Sequence, residues 1–252
     1  MIYINHNNAI EQLQDLINNS LHNTKSYLPD NFNNEQSHAL ELLKTRIALE
    51  EIVEESVYFN KQLNFESKNK NLSLVSNVEE LIEVFKLRST VYTNIGYQRE
   101  FPDFIEGLNY DKYDKNAAIL FYTSNSTATG TTRLIFDSKN KLPTEKKTSF
   151  YKIRDKYNNI GELSRLTVKT EDKGLSLEFK YLMQGIHNLF INNEIDITVL
   201  AIIKEHYKLY TKFGGSEIIQ EMDDYGNLGH EMFLLSWDPA LASTFFKRAF
   251  LT

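Results

Sequence analysis

Residues 195–203 read Ile-Asp-Ile-Thr-Val-Leu-Ala-Ile-Ile, an almost continuous apolar run of the kind found in strands buried on both faces. A chain organised around such a strand folds in layers with a sheet at the centre. The surrounding pattern fits that frame. Leu72, Leu74 and Val75 make a short strand, and Ser76 followed by Glu79 predicts a capping box that opens a helix through Leu81, Ile82, Phe85 and Leu87 to about Tyr92. A loop containing Gly and Asp carries the chain to Asp114. Ala117 to Thr123 and Gly130 to Phe136 are β-rich runs that read as an antiparallel hairpin around a turn at Ser124 to Thr129. A short helix from about Phe150 to Tyr157 follows, then a strand from Ile160 to Val168 and a helix from Leu175 to Phe190. After the apolar run come a helix from Glu205 to Phe213, stopped by Gly214 and Gly215, and a strand from Glu231 to Trp237. The expected class is a mixed α/β sheet.

Upstream, Ile10, Leu13, Leu16 and Ile17 recur at helical spacing over Asn7 to Leu21, and a second helix carries Ala39, Leu42, Leu43, Ile47, Ile52 and Val53. The Asn-rich stretch after Pro29 separates them, so the start of the chain is expected to be a helical hairpin. The division predicted is an extension over residues 1–70 and a main domain over 71–252. Glu50, Glu51, Glu54 and Glu55 read as a solvated helix face.

Charge and composition narrow the function. Twenty-eight basic residues against 34 acidic ones leave a formal charge of −6, which provides no general field for a nucleic acid backbone. Cysteine is absent, so thiolate nucleophiles and thiolate metal sites are excluded. His6, His22, His38, His187, His206 and His230 show no metal-ligand spacing, and no metal is predicted. No segment approaches the roughly 20 apolar residues of a membrane span, and a cytoplasmic protein is expected. The glycine-rich phosphate loops, the zinc-protease motif and the nucleophile elbow are missing.

What remains is charge lodged among apolar strand residues: Arg133 in GTTRLIF, and Glu162 and Arg165 in GELSRLTV. Such residues must pair, accept several hydrogen bonds or line a cleft. Strict alternation puts Glu162, Ser164 and Leu166 on one face and Arg165 on the other, unless a bulge re-aims one of them.

Arg88, Val91 and Tyr92 in LRSTVY, Asp111 and Asp114 in NYDKYD, Gly130, Arg133 and Leu134 in GTTRL, and Glu162, Ser164 and Arg165 in ELSR fall in the order and spacing seen in acyl-homoserine lactone autoinducer synthases and the related N-acyl amino acid synthases. The chain resembles those families across residues 80–168. Tyr210, Lys212, Phe213 and Gly214 in LYTKFGG look like the Tyr-bearing helix of many enzymes of the GNAT N-acyltransferase superfamily, to which both belong. The resemblance implies a GNAT-like, mostly antiparallel sheet flanked by helices, and an N-acyltransferase acting on an acyl thioester and an amine. It assigns Glu162 as general base, backbone N–H groups near Arg165 and Leu166 to the oxyanion, and Tyr210 to the leaving thiolate. Arg133 and Arg165 would receive an acceptor carboxylate, within a pocket that also takes in Arg88, Tyr97, Asp111, Asp114, Ser164, Leu166 and Val168. Arg88, Asp111 and Asp114 would form its ion network, or order the loop from Asn94 to Asp114. Phe179, Leu182, Met183, Val199 and Ile202 are candidate walls for the acyl chain, or plain core.

The departures set the donor. Coenzyme A users carry several glycines in the turn after the central strand, whereas Lys169 to Leu177 holds only Gly174. Lys173 and Gly174 are the donor-side candidates, and an acyl carrier protein is favoured over coenzyme A, with no cofactor tightly bound. Its dock is expected among Lys169, Lys173, Lys180, Lys204, Lys208 and Lys212. The lactone synthases usually have Trp at the position of Tyr97, so a free amino acid is preferred to S-adenosylmethionine as acceptor. The competing readings are a coenzyme A-dependent acetyltransferase, a lactone synthase, and a non-catalytic acyl-binding module.

Overall fold

The computed structural model describes residues 34–105, 107–169, 176–223 and 225–252, which divide into compact units at 1–51 and 52–252. The helix expected over Asn7 to Leu21, and with it the predicted hairpin, lies outside the described residues. The second helix is present as α1 (Asn34–Gln62), laced on its exposed face by Lys44–Glu41 and Arg46–Glu50 pairs. In the second unit its stripe of Ile52, Val53, Ser56 and Asn60 is buried, at the helical spacing of one face.

Seven strands form one sheet: β1 (Leu72–Leu74), β2 (Ala117–Ser124), β3 (Thr127–Phe136), β4 (Ile160–Val168), β5 (Ile197–Ile203), β6 (Ser216–Met222) and β7 (Met232–Trp237). Their order is β1-β2-β3-β4-β5-β7-β6, and every neighbouring pair is antiparallel except β4 and β5. Helix α2 (Val78–Ile95) packs on β3 and β4, while α4 (Leu177–Asn192) packs on β2 and β3. Alternation along the strands explains the two surfaces. Leu120, Leu134 and Leu163 join Leu182, Met183, Ile186 and Leu189 of α4 in the main core. Arg133 and Ser164, paired across β3 and β4, look the other way.

Several boundaries differ from expectation. The cap of α2 is Asn77, whose side chain accepts from Glu80 N–H at 2.9 Å. Ser76 instead donates its N–H and hydroxyl to the Glu80 carboxylate, because Asn-x-x-Glu one position along satisfies the same geometry. The β2–β3 turn is only Asn125 and Ser126, both at positive φ, so the strands run further than the six-residue turn predicted. Helix α3 (Tyr151–Arg154) is one turn. Two elements were not foreseen. β6 is a largely exposed edge strand without apolar alternation, and α6 (Thr244–Phe250) buries Phe246 and Phe250 against Phe213 and Trp237. Helix α5 (Tyr207–Phe213) ends at Gly214 and Gly215 as expected. Gly215 has φ +72°, and a Cβ there would stand 2.3 Å from the Asp238 carbonyl oxygen, so no other residue fits. Among the described residues no helix is long and apolar enough to cross a membrane.

Asn60 ties α1 to the sheet where β1 ends. Its Nδ2 donates to Ala117 O at 2.9 Å and its Oδ1 accepts from Ile119 N at 2.8 Å, replacing the strand partner those groups lack. Asn60→Leu leaves both buried and unpaired, and is expected to destabilise the chain by about 2–4 kcal/mol. Urea denaturation checks this; an unchanged midpoint would contradict it.

Candidate active site

β4 and β5 pair only from Ile160 to Glu162, opposite Ile197 to Val199. β4 continues to Val168 paired with β3 alone, so the sheet forks immediately beyond Glu162. The origin of the fork is in β4. Arg133 faces Ser164 and Thr131 faces Thr167, so β4 spends three steps where β3 spends two, and Arg165 sits at φ +55°. A bulge of this kind bends and over-twists its strand. It also re-aims Arg165 from the face opposite Glu162 back to the side of Ser164.

The consequence is a buried ion network. Arg133 donates through Nη1 and Nη2 to the two Asp111 oxygens at 2.7 and 2.9 Å and through Nε to Ser164 Oγ at 3.0 Å. Its Nη1 also lies 3.0 Å from Asp114 Oδ1. Arg88 of α2 donates to Asp114 Oδ1 at 2.8 Å, and Arg165 Nη2 to Asp111 Oδ2 at 2.9 Å. Asp111 and Asp114 cap one short 3₁₀ turn reciprocally, which delivers both carboxylates to one place. Burial works against the charge on Asp111, but Arg133 and Arg165 outweigh it and hold the group well below the usual carboxylate range. Three guanidiniums against two carboxylates leave one positive charge in excess. Among the described residues Arg165 Nη1 and Arg88 Nε and Nη2 are buried without a hydrogen-bond partner, and the Arg165 guanidinium lies 4.0 Å from the Phe101 ring centre and 5.4 Å from that of Tyr92.

Glu162 stands at the fork, 3% exposed. Thr144 grips its carboxylate twice, N–H to Oε2 at 3.0 Å and hydroxyl to Oε1 at 2.7 Å. Burial pushes the acid up to about 7, against the lowering effect of both Thr144 bonds and of Arg133. Glu162 is therefore poised between its two protonation states near neutrality, as a general base requires.

Residues 83–238, well over half of the chain, match the family described as N-acyl amino acid synthase FeeM. The chain belongs to that family. The structure of FeeM, an N-acyl amino acid synthase from uncultured soil microbes, aligns with a TM-score of 0.52 over 71% of this chain and 94% of that one, at 16% identity. The AHL synthase LasI aligns at 0.52 over 71% and 93%, at 17% identity. The CoA-dependent acyl-homoserine lactone synthase MesI aligns at 0.51 over 69% and 89%, at 14% identity. No curated protein matches the sequence. The fold is the GNAT-like mixed sheet, and this FeeM-family chain is an N-acyltransferase.

The structure brings Arg88, Asp111, Asp114, Arg133, Ser164 and Arg165 into the one network, with Glu162 beside it. Tyr97 is half-buried, its ring 6.4 Å from Tyr92 and 6.1 Å from His230. Leu166, Val168 and Phe179 are partly buried against the main core, and Leu182, Met183 and Ile202 lie within it. Val199 is buried opposite Glu162 on β5. Tyr210 is held in the aromatic core 5.2 Å from Phe213, and burial pushes its phenol up to about 12. Lys173 and Gly174 lie outside the described residues. Thr144 and Tyr225, 3.3 Å apart through their hydroxyls, were not foreseen; both come from polar connecting segments with no periodicity to mark them.

Because Glu162 holds its proton more tightly folded than unfolded, its own contribution to stability is fully present below the unfolded carboxylate value of about 4.5 and is lost as pH rises through about 7. Glu162→Gln removes that loss. Its stability relative to the intact chain is expected to improve by roughly 2–3 kcal/mol between about pH 4 and pH 8, measured by urea denaturation; parallel pH curves would refute it.

Proposed function

We propose that this N-acyltransferase is an N-acyl amino acid synthase that moves a fatty acyl group from an acyl carrier protein thioester to the amine of an amino acid. The observation that carries the reading is the placement of Glu162 at the fork, next to a guanidinium cluster with one positive charge in excess. A free amino acid presents both an ammonium to deprotonate and a carboxylate to neutralise that excess, and the unpaired Arg165 Nη1 is the donor suited to receive it. Glu162 takes the proton, the amine attacks the thioester carbonyl, and the C–S bond breaks as the amide forms. Among the described residues the β5-facing edge of β4 beyond Glu162 has no strand neighbour, which suits its backbone donors near Arg165 and Leu166 to hold the oxyanion. Tyr210 is the proposed proton source for the thiolate, and Leu166, Val168 and Phe179 the apolar border for the acyl chain.

The carrier protein is favoured by the glycine-poor turn after β4 and by surface charge. Lys208 and Lys212 of α5 are exposed, and so are Lys247 and Arg248 of the adjoining α6. Lys204 is engaged with Glu231 at 2.8 Å, and Lys180 donates to Thr252 O, so the dock centres on the α5–α6 pair. An acidic carrier is attracted to such a surface.

Lipid extracts of cells expressing the chain, compared by mass spectrometry with a Glu162→Gln strain, test the reaction. New N-acyl amino acids are expected only with the intact chain, the variant losing at least about a hundredfold. Equal product in both would remove Glu162 from the chemistry. With purified donors, Lys208→Glu combined with Lys212→Glu is expected to raise KM for acyl carrier protein about tenfold while leaving kcat in place; the same KM would rule out the dock.

A further inference from the structure

The reaction has a proton balance that the site must meet. An ammonium and a thioester become an amide, a thiol and one free proton: one N–H proton ends on sulfur, and the proton taken by Glu162 has to leave before the next turnover. Glu162 is 3% exposed and Thr144 is fully buried, so the carboxyl cannot pass that proton to water directly.

The Thr144 hydroxyl has a single proton and directs it at Glu162 Oε1, 2.7 Å away. In its 3.3 Å contact with Tyr225 Oη it is therefore the acceptor, and Tyr225 is the donor. The result is an ordered line of hydroxyls from the carboxylate outward to Tyr225, which is 8% exposed. The hydroxyl is not needed to anchor Glu162, because the Thr144 N–H already holds Oε2. We propose that Thr144 and Tyr225 are positioning residues that carry the proton from Glu162 out of the site, Tyr225 handing it to solvent; this rests on Glu162 being the general base.

Once Glu162 is protonated, the Thr144 and Tyr225 hydroxyls turn outward; Glu162 then gives its proton to Thr144 Oγ1, Thr144 gives its own to Tyr225 Oη, and Tyr225 releases its own outward. No group holds an extra proton at the end, and the transfer itself leaves both hydroxyls directed inward, as they are at rest. The surrounding charges suit this line. Arg133 of β3 and Asp111 face Glu162 from the network. On the outer side Lys147 sits 3.9 Å from the Tyr225 ring centre, and Glu100 pairs with Lys147 and accepts from Asn227 N at 2.9 Å. Arg165 also acts on the Tyr225 hydroxyl. The Lys147–Glu100 pair thereby holds both Tyr225 and Asn227.

Tyr225→Phe keeps the ring and its Lys147 contact and removes only the hydroxyl. The full chain is assayed with dodecanoyl-acyl carrier protein and with dodecanoyl-coenzyme A, against a mixture of the protein amino acids. In the variant kcat is expected to fall about tenfold with KM unchanged, the solvent deuterium isotope effect to increase, and added imidazole to restore the rate. Thr144→Ser, which keeps the hydroxyl, is expected to retain turnover, and Thr144→Val to lose it as Tyr225→Phe does. Full kcat in Tyr225→Phe, or a loss that imidazole does not lift, overturns the proton path while an inactive Glu162→Gln keeps the general-base reading intact. Turnover retained in Glu162→Gln, or no product from the intact chain with either donor, overturns that reading and the path with it.

Discussion

One extra residue in β4 organises the molecule. With Arg165 held at φ +55°, β4 bends after Ser164 and parts from β5, its parallel neighbour, just beyond Glu162. The parting opens polar backbone in the middle of the seven-stranded sheet. The same distortion turns Arg165 toward Asp111, so the opening and the charge that lines it have a single cause. The left-handed conformation costs about 1 kcal/mol or more in a non-glycine residue, and the Arg165–Asp111 bond with the aromatic contacts of Phe101 and Tyr92 offsets it.

The two carboxylates closest to this opening are driven apart in acidity by their surroundings. Asp111 accepts from two arginines and stays ionised, whereas Glu162 accepts from the neutral Thr144 and is dominated by desolvation. Environments that separate two acids in this way suit them to different tasks, and the proposed mechanism uses Asp111 as fixed charge and Glu162 as proton acceptor. The arginines in turn are held by a short turn whose caps are the carboxylates themselves, so positioning and neutralisation are one arrangement.

The sheet separates the ion network from the main core. One surface bears the ion network and α2; the other bears the leucine and aromatic core shared by α4, α5 and α6. Leu166 and Val168 of β4, beyond the bulge, are partly buried against that core, and the proposed reaction places the acyl thioester beside them.

The sequence by itself determined the layers and most of the elements. The apolar run of β5, the β-rich runs of β2 and β3 and the glycines after α5 are local signals, and local signals are what a sequence records. It also singled out Arg133, Glu162 and Arg165, because charge in an apolar strand is conspicuous wherever it occurs. β6 escaped because an exposed edge strand needs no apolar alternation, and α6 because its burial depends on Phe213, 31 residues before it in the chain. The tertiary structure alone decided that Arg165 faces the network, since a bulge is a mismatch between two strands and has no signature in either. It alone brought Thr144 and Tyr225 to Glu162, because 18 and 63 residues separate them from it along the chain and only the closing of the sheet makes them neighbours.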